Sequence, residues 1–192
     1  YSSNTVTVID GATNALTTLT VGALPSAIAI NPVTNKIYVA NNFSNNVTVI
    51  DGATNNRGTV AAGTNPFAVA VNPVTNKIYV VNNGSSNDVT VIDGATHAII
   101  TTLNAGTGPN AVAINPVTNK IYVTNYSSNT VTVIDGATNA LTTLTFAAMT
   151  NPFAVAINPV TNKIYVVNYN SNDVTVIDGA ANALSTLALA AG

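Results

Sequence analysis

Short segments with a two-residue alternation of side chains recur along the whole chain. Ala alternates with Ile in Ala27–Asn31, and Ile and Val flank a Tyr in Lys36–Asn41. A period of two predicts β-strands, and Val, Ile and Tyr favour them. Val47–Asp51 continues the pattern, while the Thr-rich runs Leu16–Val21 and Ile99–Leu103 predict a half-exposed strand. We call these four kinds of segment strands A, B, C and D, and no stretch has the periodicity of a helix.

The four segments belong to a repeat of about 42 residues. The string NPVTNK occurs four times, and the string VTVIDGA occurs five times with its aspartates at Asp10, Asp51, Asp93, Asp135 and Asp178. Successive aspartates are 41 to 43 residues apart. A period of this length with four strands is typical of one β-propeller blade.

The turns and the dry faces of the strands favour a propeller over a flat sheet. Pro in NPVTNK and Asp-Gly after strand C predict tight turns, so neighbouring strands are expected to be antiparallel. In strand A, Ala27 and Ala29 face one side while Ile28 and Ile30 face the other. A sheet that is apolar on both faces needs a neighbour on each side, and blades around an axis supply both. The predicted fold is an all-β propeller of four-stranded antiparallel blades.

The repeat resembles a known family. Ile121–Asn125 contains the letters Tyr-Val-Thr-Asn, and the flanking NPVTNK and VTVIDGAT fit the YVTN-type β-propeller repeat over essentially the whole chain. Proteins with a similar repeat include surface-layer propellers and secreted or periplasmic propellers related to lactonases. The resemblance implies a ring that is often seven-bladed and an extracellular or cell-surface location, with the periplasm as the alternative. It does not imply one activity, because propellers host many.

The blade count does not close a ring. The order is C–D followed by four A–B–C–D sets, which makes about 4.5 blades in a single propeller domain or segment: a half blade at 1–22 and blades at about 23–63, 64–106, 107–149 and 150–192. Both termini look like cuts, since Tyr1–Thr5 matches Tyr126–Thr130 and Ala190–Gly192 matches Ala61–Gly63. We expect a segment of a six- to eight-bladed ring or an open arc that needs a partner. A compact four-bladed ring with an unpaired flap is the alternative.

Composition narrows the function classes. Only 6% of the residues are charged, the net charge is −2, and there is no Cys and one His. Nucleic-acid binding is excluded because no cationic surface is available, and no apolar run is long enough for a membrane span. Disulfides and thiolate zinc sites are excluded as well. The sequence predicts no catalytic residue, no cofactor and no metal, and hence a protein that is not an enzyme.

Lysines at the start of strand B are expected to meet aspartates at the end of strand C. In an antiparallel B–C pair these positions are opposite, which predicts four structural pairs: Lys36 with Asp51, Lys77 with Asp93, Lys120 with Asp135, and Lys163 with Asp178. Alternatively, the aspartates accept backbone N–H bonds within their own turns. Arg57 and His97 occupy non-repeated positions just after the DGAT turn, and the lone His97 is interpreted as a turn residue.

The loops divide into a constant set and a variable set. The A–B and C–D turns hardly change, whereas the B–C and D–A loops differ between repeats, and binding residues usually lie on such loops. The candidate ligand contacts are Asn42, Phe43, Phe67, Tyr126, Phe153 and Tyr169. The alternative is that Asn and Ser satisfy turn geometry and that the Phe rings cap the core.

Three functional hypotheses follow. The first is a secreted or cell-surface interaction scaffold without catalysis, which binds protein or carbohydrate through the variable loops. The second is a lactonase- or lyase-type enzyme whose site lies in other blades. The third is a subunit that self-associates into a lattice or filament through open blade edges.

Overall fold

The computed structural model describes residues 3–147 and 150–188, and these contain strands and turns but no helix. Sheet 1 has two strands, β1 (Thr5–Ile9) and β2 (Leu16–Thr20). Four further sheets each have four antiparallel strands in chain order, A to D. No helix in this part of the chain is long and apolar enough to cross a membrane.

The strand bounds repeat closely from sheet to sheet. Sheet 2 contains β3 (Pro25–Asn31), β4 (Lys36–Asn41), β5 (Asn46–Asp51) and β6 (Arg57–Ala61). Sheet 3 contains β7 (Pro66–Asn72), β8 (Lys77–Asn82), β9 (Asp88–Asp93) and β10 (Ile99–Asn104). Sheet 4 contains β11 (Pro109–Asn115), β12 (Lys120–Asn125), β13 (Thr130–Asp135) and β14 (Leu141–Thr145). Sheet 5 contains β15 (Pro152–Asn158), β16 (Lys163–Asn168), β17 (Asp173–Asp178) and β18 (Leu184–Ala188).

Strand A begins two residues earlier than the alternation predicts. In sheet 2, Pro25 pairs with Asn41 and Ala27 with Ala40, so Ser26 is an extra residue in the ladder. The same register shift follows the proline of β7, β11 and β15. A β-bulge of this kind re-aims a side chain at a strand end. The bulge residue is therefore positioned by the backbone and not by the alternation.

The sheets pack face to face. Ile78 and Val80 of β8 belong to the cluster shared with sheet 2, whereas the intervening Tyr79 and Val81 belong to the cluster shared with sheet 4. Similar clusters join sheet 4 to sheet 5 and sheet 1 to sheet 2. The prediction that both faces of a blade are apolar and buried is confirmed for sheets 3 and 4. The all-β propeller fold is confirmed as well.

The five sheets form an open arc. Val167 and Leu187 are exposed on sheet 5. The residue of sheet 3 that is equivalent to Val167 is Val81, and it is fully buried. At the other end, Ile9 and Leu16 of sheet 1 are exposed. The compact four-bladed ring is therefore not formed, and assembly through the open blade edges stays a prediction. The blade limits stay a prediction too, and the sequence matches at Tyr1 and at 190–192 lie outside the described residues.

Buried asparagines tie neighbouring sheets together on the side of the constant turns. In sheets 2, 3 and 4 the last residue of strand A donates its Nδ2 to the Oδ1 of the second asparagine in the next sheet's NPVTNK turn. These bonds are Asn31 to Asn76, Asn72 to Asn119 and Asn115 to Asn162, each 2.7 Å. The donor's own Oδ1 accepts a backbone N–H within its turn, as Asn72 does from Val74. We call this series the amide ladder, and it explains why NPVTNK does not vary.

Removing one rung is expected to destabilise the array. Asn72→Ala leaves the half-buried Asn119 Oδ1 without its donor, so the free energy of unfolding should fall by about 1–3 kcal/mol. Urea unfolding followed by circular dichroism measures this loss.

Asn158→Ala is the matched control for that experiment. Asn158 Oδ1 accepts the backbone N–H of Val160 at 3.0 Å, so the variant loses the same turn bond but no rung among the described residues. Equal losses for Asn72→Ala and Asn158→Ala would contradict a stabilising amide ladder.

Tyrosines of strand B lie in the interfaces between sheets. Tyr79 and Tyr122 are fully buried, and among the described residues their hydroxyls have no hydrogen-bond partner. Burial raises the pKa of Tyr79 and that of Tyr122 to about 12 in each case. Because the folded-state pKa lies above the unfolded value, the folded protein is favoured while the phenols are neutral, and this contribution is lost as pH rises.

Alkaline pH is therefore expected to unfold the protein through these phenols. The free energy of unfolding should fall between about pH 10, the unfolded pKa of tyrosine, and pH 12. Tyr79→Phe with Tyr122→Phe should flatten that decline in urea titrations at stepped pH. The exposed Tyr169→Phe serves as control, and an equally steep decline in the double variant would contradict the assignment.

Candidate functional site

Hydrogen bonds assign the loops to two opposite ends of the sheets. In sheet 2, Gly52 N in the C–D turn donates to Asn35 O in the A–B turn at 2.9 Å. On the other side, Asn83 N in a B–C loop donates to Asn65 O in a D–A loop at 3.0 Å. The constant turns thus share one face of the arc, and the variable loops share the other.

Only one of the four predicted lysine–aspartate pairs forms an ion pair among the described residues. Lys36 Nζ lies 2.5 Å from Asp51 Oδ2. All four lysines are directly opposite their aspartates in the strand register. The predictions of ion pairs are nevertheless wrong for Lys77 with Asp93, Lys120 with Asp135, and Lys163 with Asp178.

For Lys77 and Lys120 the reason is a competing acceptor site on the next sheet, whereas Lys163 lies on sheet 5, which no further described sheet follows. Lys77 Nζ donates to Gly136 O at 2.8 Å and to Asn139 Oδ1 at 3.2 Å in the C–D turn of sheet 4. Lys120 Nζ reaches Gly179 O at 3.5 Å in the same manner. In the turn that faces Lys36, His97 stands at the position of Asn139. An imidazole there does not supply the amide oxygen, and Lys36 bonds to Asp51 instead.

The aspartates instead organise their own turns, as the alternative interpretation predicts. Asp135 Oδ1 accepts the backbone N–H of Thr138 at 2.8 Å, the Thr138 hydroxyl at 2.9 Å and the Ala137 N–H at 3.0 Å. These bonds, that of the Thr138 N–H first, hold the pKa of Asp135 below its usual value. The five aspartates are therefore turn-forming residues.

His97→Asn is expected to move Lys36 from Asp51 to the neighbouring turn, because the new amide recreates the site that holds Lys77. The hydrogen bond from Lys36 is the largest cause of the lowered pKa of Asp51. That pKa should rise in a carboxyl NMR titration but stay below its usual value, since the Thr54 and Ala53 donors remain. Asp135 is the internal control, and an unchanged Asp51 pKa would refute the exchange.

Three of the six candidate contact residues form an aromatic cluster on the variable face. The ring centroids of Tyr126 and Phe153 are 6.3 Å apart, those of Tyr126 and Tyr169 are 6.3 Å apart, and those of Phe153 and Tyr169 are 6.0 Å apart. These separations are typical of favourable edge-on or tilted aromatic pairs. The cluster joins the loops of sheets 4 and 5.

Beside this cluster lies a cleft of about 230 Å³, which we call the aromatic cleft. Its lining residues are Phe67, Asn83, Gly108, Asn110, Tyr126, Ser127 and Phe153. The sequence predicts Phe67, Tyr126 and Phe153, but it misses the other four. The detectable signal is that Gly108 and Asn110 depart from the Asn-Pro-Phe of the flanking repeats.

The other candidate contacts lie outside the aromatic cleft. Phe43 is 73% exposed, and Asn42 Oδ1 accepts a hydrogen bond from Asn65 Nδ2 at 3.2 Å.

Phe67 and Phe153, which line the aromatic cleft, are 43% and 51% exposed. The two Phe rings therefore do not cap the core, and their exposed surface is available to a ligand.

The bulges of strand A place the walls of the aromatic cleft. Phe67, Asn110 and Phe153 are the bulge residues of three successive sheets. Asn110 Nδ2 donates to Phe153 O at 2.7 Å, and Asn83 Nδ2 donates to Pro109 O at 2.7 Å. Each amide thus bonds to the backbone of the following sheet. These bonds fix the spacing of the sheets across the cleft.

The lining of the aromatic cleft is uncharged. Its described residues supply three aromatic rings, two side-chain amides and one serine hydroxyl, with no carboxylate, amine or imidazole among them. Such a surface can stack against an apolar face and exchange hydrogen bonds with hydroxyl or amide groups. Binding is the chemistry that this arrangement can perform.

No family model matches the chain, and no curated protein matches it. Solved structures do match. Virginiamycin B lyase from Staphylococcus aureus is 13% identical with a TM-score of 0.83, over 99% of this chain and 64% of the lyase. The dihydro-heme d1 dehydrogenase NirN is 17% identical with a TM-score of 0.83, over 98% of this chain and 42% of that one. A chain of a nidogen/laminin complex is 11% identical with a TM-score of 0.71, over 97% of this chain and 76% of that one.

These structures share the propeller scaffold with this chain. At such low identity the likeness concerns the fold alone, and the chain spans about two fifths to two thirds of the two enzymes. The prediction that the chain is not an enzyme is contradicted, because the structures that share its fold include a lyase and a dehydrogenase. The propeller fold is therefore no ground for excluding an activity.

Proposed function

We propose that this chain is a ligand-binding propeller module of the YVTN-repeat type that acts outside the cell. Its variable face binds carbohydrate or protein at the aromatic cleft. The observation that carries the proposal is a convergence: Phe67, Tyr126 and Phe153 line one cleft from three successive sheets, and Tyr169 packs against Tyr126 and Phe153 beside it.

The two faces of the arc support this division of roles. On the constant face, the amide ladder and the aspartate turns use their polar groups internally. On the variable face, aromatic rings are partly exposed in a chain with few aromatic residues. Exposed rings at the edge of a rigid scaffold are typical of binding surfaces. The likeness to a chain of the nidogen/laminin complex supports a protein partner as one class of ligand.

The proposal is tested by screening the fluorescently labelled protein on arrays of glycans and of extracellular proteins. Phe153→Ala should weaken binding of the positive ligands by about 10-fold or more, since an aromatic side chain that is buried on binding contributes about 1.4 kcal/mol or more. Tyr126→Ala should act in the same direction. Isothermal titration with each hit gives the affinities.

Val117→Ala provides the matched control, because Val117 is an exposed apolar residue of an A–B turn on the constant face. It should leave affinity unchanged. Binding that Val117→Ala weakens and Phe153→Ala does not would overturn the proposal, as would the absence of any ligand for the variable face.

A further inference from the structure

The aromatic cleft lies where one repeat departs from its two neighbours. The D–A loops that enter sheets 3 and 5 read Thr-Asn-Pro-Phe, ending at Phe67 and Phe153. The loop that enters sheet 4 reads Thr-Gly-Pro-Asn, and its Gly108 and Asn110 both line the cleft. Two smaller side chains thus stand between two Phe rings. The cleft follows from these departures.

Gly108 keeps one side of the aromatic cleft open. A Cβ atom on Gly108 would lie 2.6 Å from Ser127 Oγ, so any side chain here displaces Ser127. The backbone itself would accept asparagine, because Gly108 has a φ of 67° while Asn65 and Asn151 have values of 54° and 50° at the equivalent positions. The requirement for glycine is therefore one of space.

Asn110 forms a fixed polar floor between the two Phe walls. It is only 8% exposed, its Nδ2 donates to Phe153 O, and its Oδ1 accepts the hydroxyl of Thr124 at 2.9 Å. Asn83 bonds through Nδ2 to Pro109 O. The side-chain oxygens of Asn83 and Ser127 stay within reach of a ligand at the rim.

These features specify the chemistry of the ligand. It is uncharged, because the lining is uncharged and a charge would be desolvated without a partner. It presents an apolar face to Phe67 and Phe153 and hydroxyl groups to the rim. A volume of about 230 Å³ takes a ring-sized group and not a long chain.

We propose that the aromatic cleft binds a ring of a neutral saccharide, stacked against the Phe walls and hydrogen-bonded at the rim by Asn83 and Ser127. This inference rests on the proposed function and names its ligand class. A proline-rich peptide also stacks on aromatic rings, but it docks along an extended groove. The small volume of this cleft favours a single ring.

Isothermal titration with maltohexaose, cellohexaose, chitohexaose and decaproline tests the proposal. The decisive variant is Asn110→Phe, which gives sheet 4 the Pro-Phe-Ala sequence of sheets 3 and 5 and should therefore fold. It fills the space between the walls and should weaken saccharide binding by at least 10-fold. Thermal unfolding shows whether this variant folds. If it does not fold, Gly108→Asn replaces it in the test, because sheets 3 and 5 have Asn at the position of Gly108.

Sheet 2 offers matched controls. Ser26→Phe and Leu24→Asn introduce the same residues, Phe and Asn, at the equivalent positions of the repeat. Neither Ser26 nor Leu24 lines the aromatic cleft. Binding of at least one oligosaccharide that survives in the sheet 2 controls and is lost in the sheet 4 variants would support the proposal.

Two other outcomes would overturn it, and they differ in reach. In the first outcome, no oligosaccharide binds, whereas decaproline or an array protein does bind and Asn110→Phe abolishes that binding. The ligand class is then wrong, while the proposed function stands. If no ligand responds to either Asn110→Phe or Phe153→Ala, then both the ligand class and the proposed function fail.

Discussion

The burial of both faces of each sheet against its neighbours is the interaction on which the rest of the structure depends. A sheet such as sheet 3 places Tyr79 and Val81 on one side and Ile78 and Val80 on the other, and all four are fully buried. Neither face could be left in water without losing the hydrophobic stabilisation of several large side chains. Lateral packing is therefore what stabilises the strands, and in sheets 2, 3 and 4 it acts from both sides.

This packing leaves the two ends of each sheet free to take different roles. At one end, the repeated NPVTNK and DGAT turns use their amides and carboxylates to bond within and between sheets. A substitution there affects a contact with the neighbouring sheet, as His97 of sheet 3 does when it redirects Lys36 of sheet 2. At the other end, fewer bonds are repeated, and residues can change from one copy to the next. The aromatic cleft is built from such changes.

The sequence predicts most of the fold because the repeat presents the same signal four or five times. The bounds of β4 and the pairing of Lys36 opposite Asp51 follow directly from it. The start of β3 at Pro25 does not, because a bulge interrupts the alternation. The ion pair predicted for Lys77 is wrong because its competing acceptor lies on another sheet. Contacts between sheets depend on distances that the pattern along one chain does not contain.

The same limit applies to the candidate site. Aromatic residues in variable loops are visible in the sequence, and Tyr126 and Phe153 do meet. The small residues that open the aromatic cleft, Gly108 and Asn110, attract attention only when the copies are compared position by position. The architecture also gives no support for excluding catalysis, since enzymes are built on the same scaffold.

Native-state hydrogen–deuterium exchange tests most directly whether lateral packing holds the sheets together. Amides of β8 and β12, whose sheets are covered on both faces, should exchange slowest, whereas β16, with one face of sheet 5 open, should exchange faster despite its nearly identical sequence. Equal protection of β8, β12 and β16 would contradict the account, because identical strands would then be stable without neighbours.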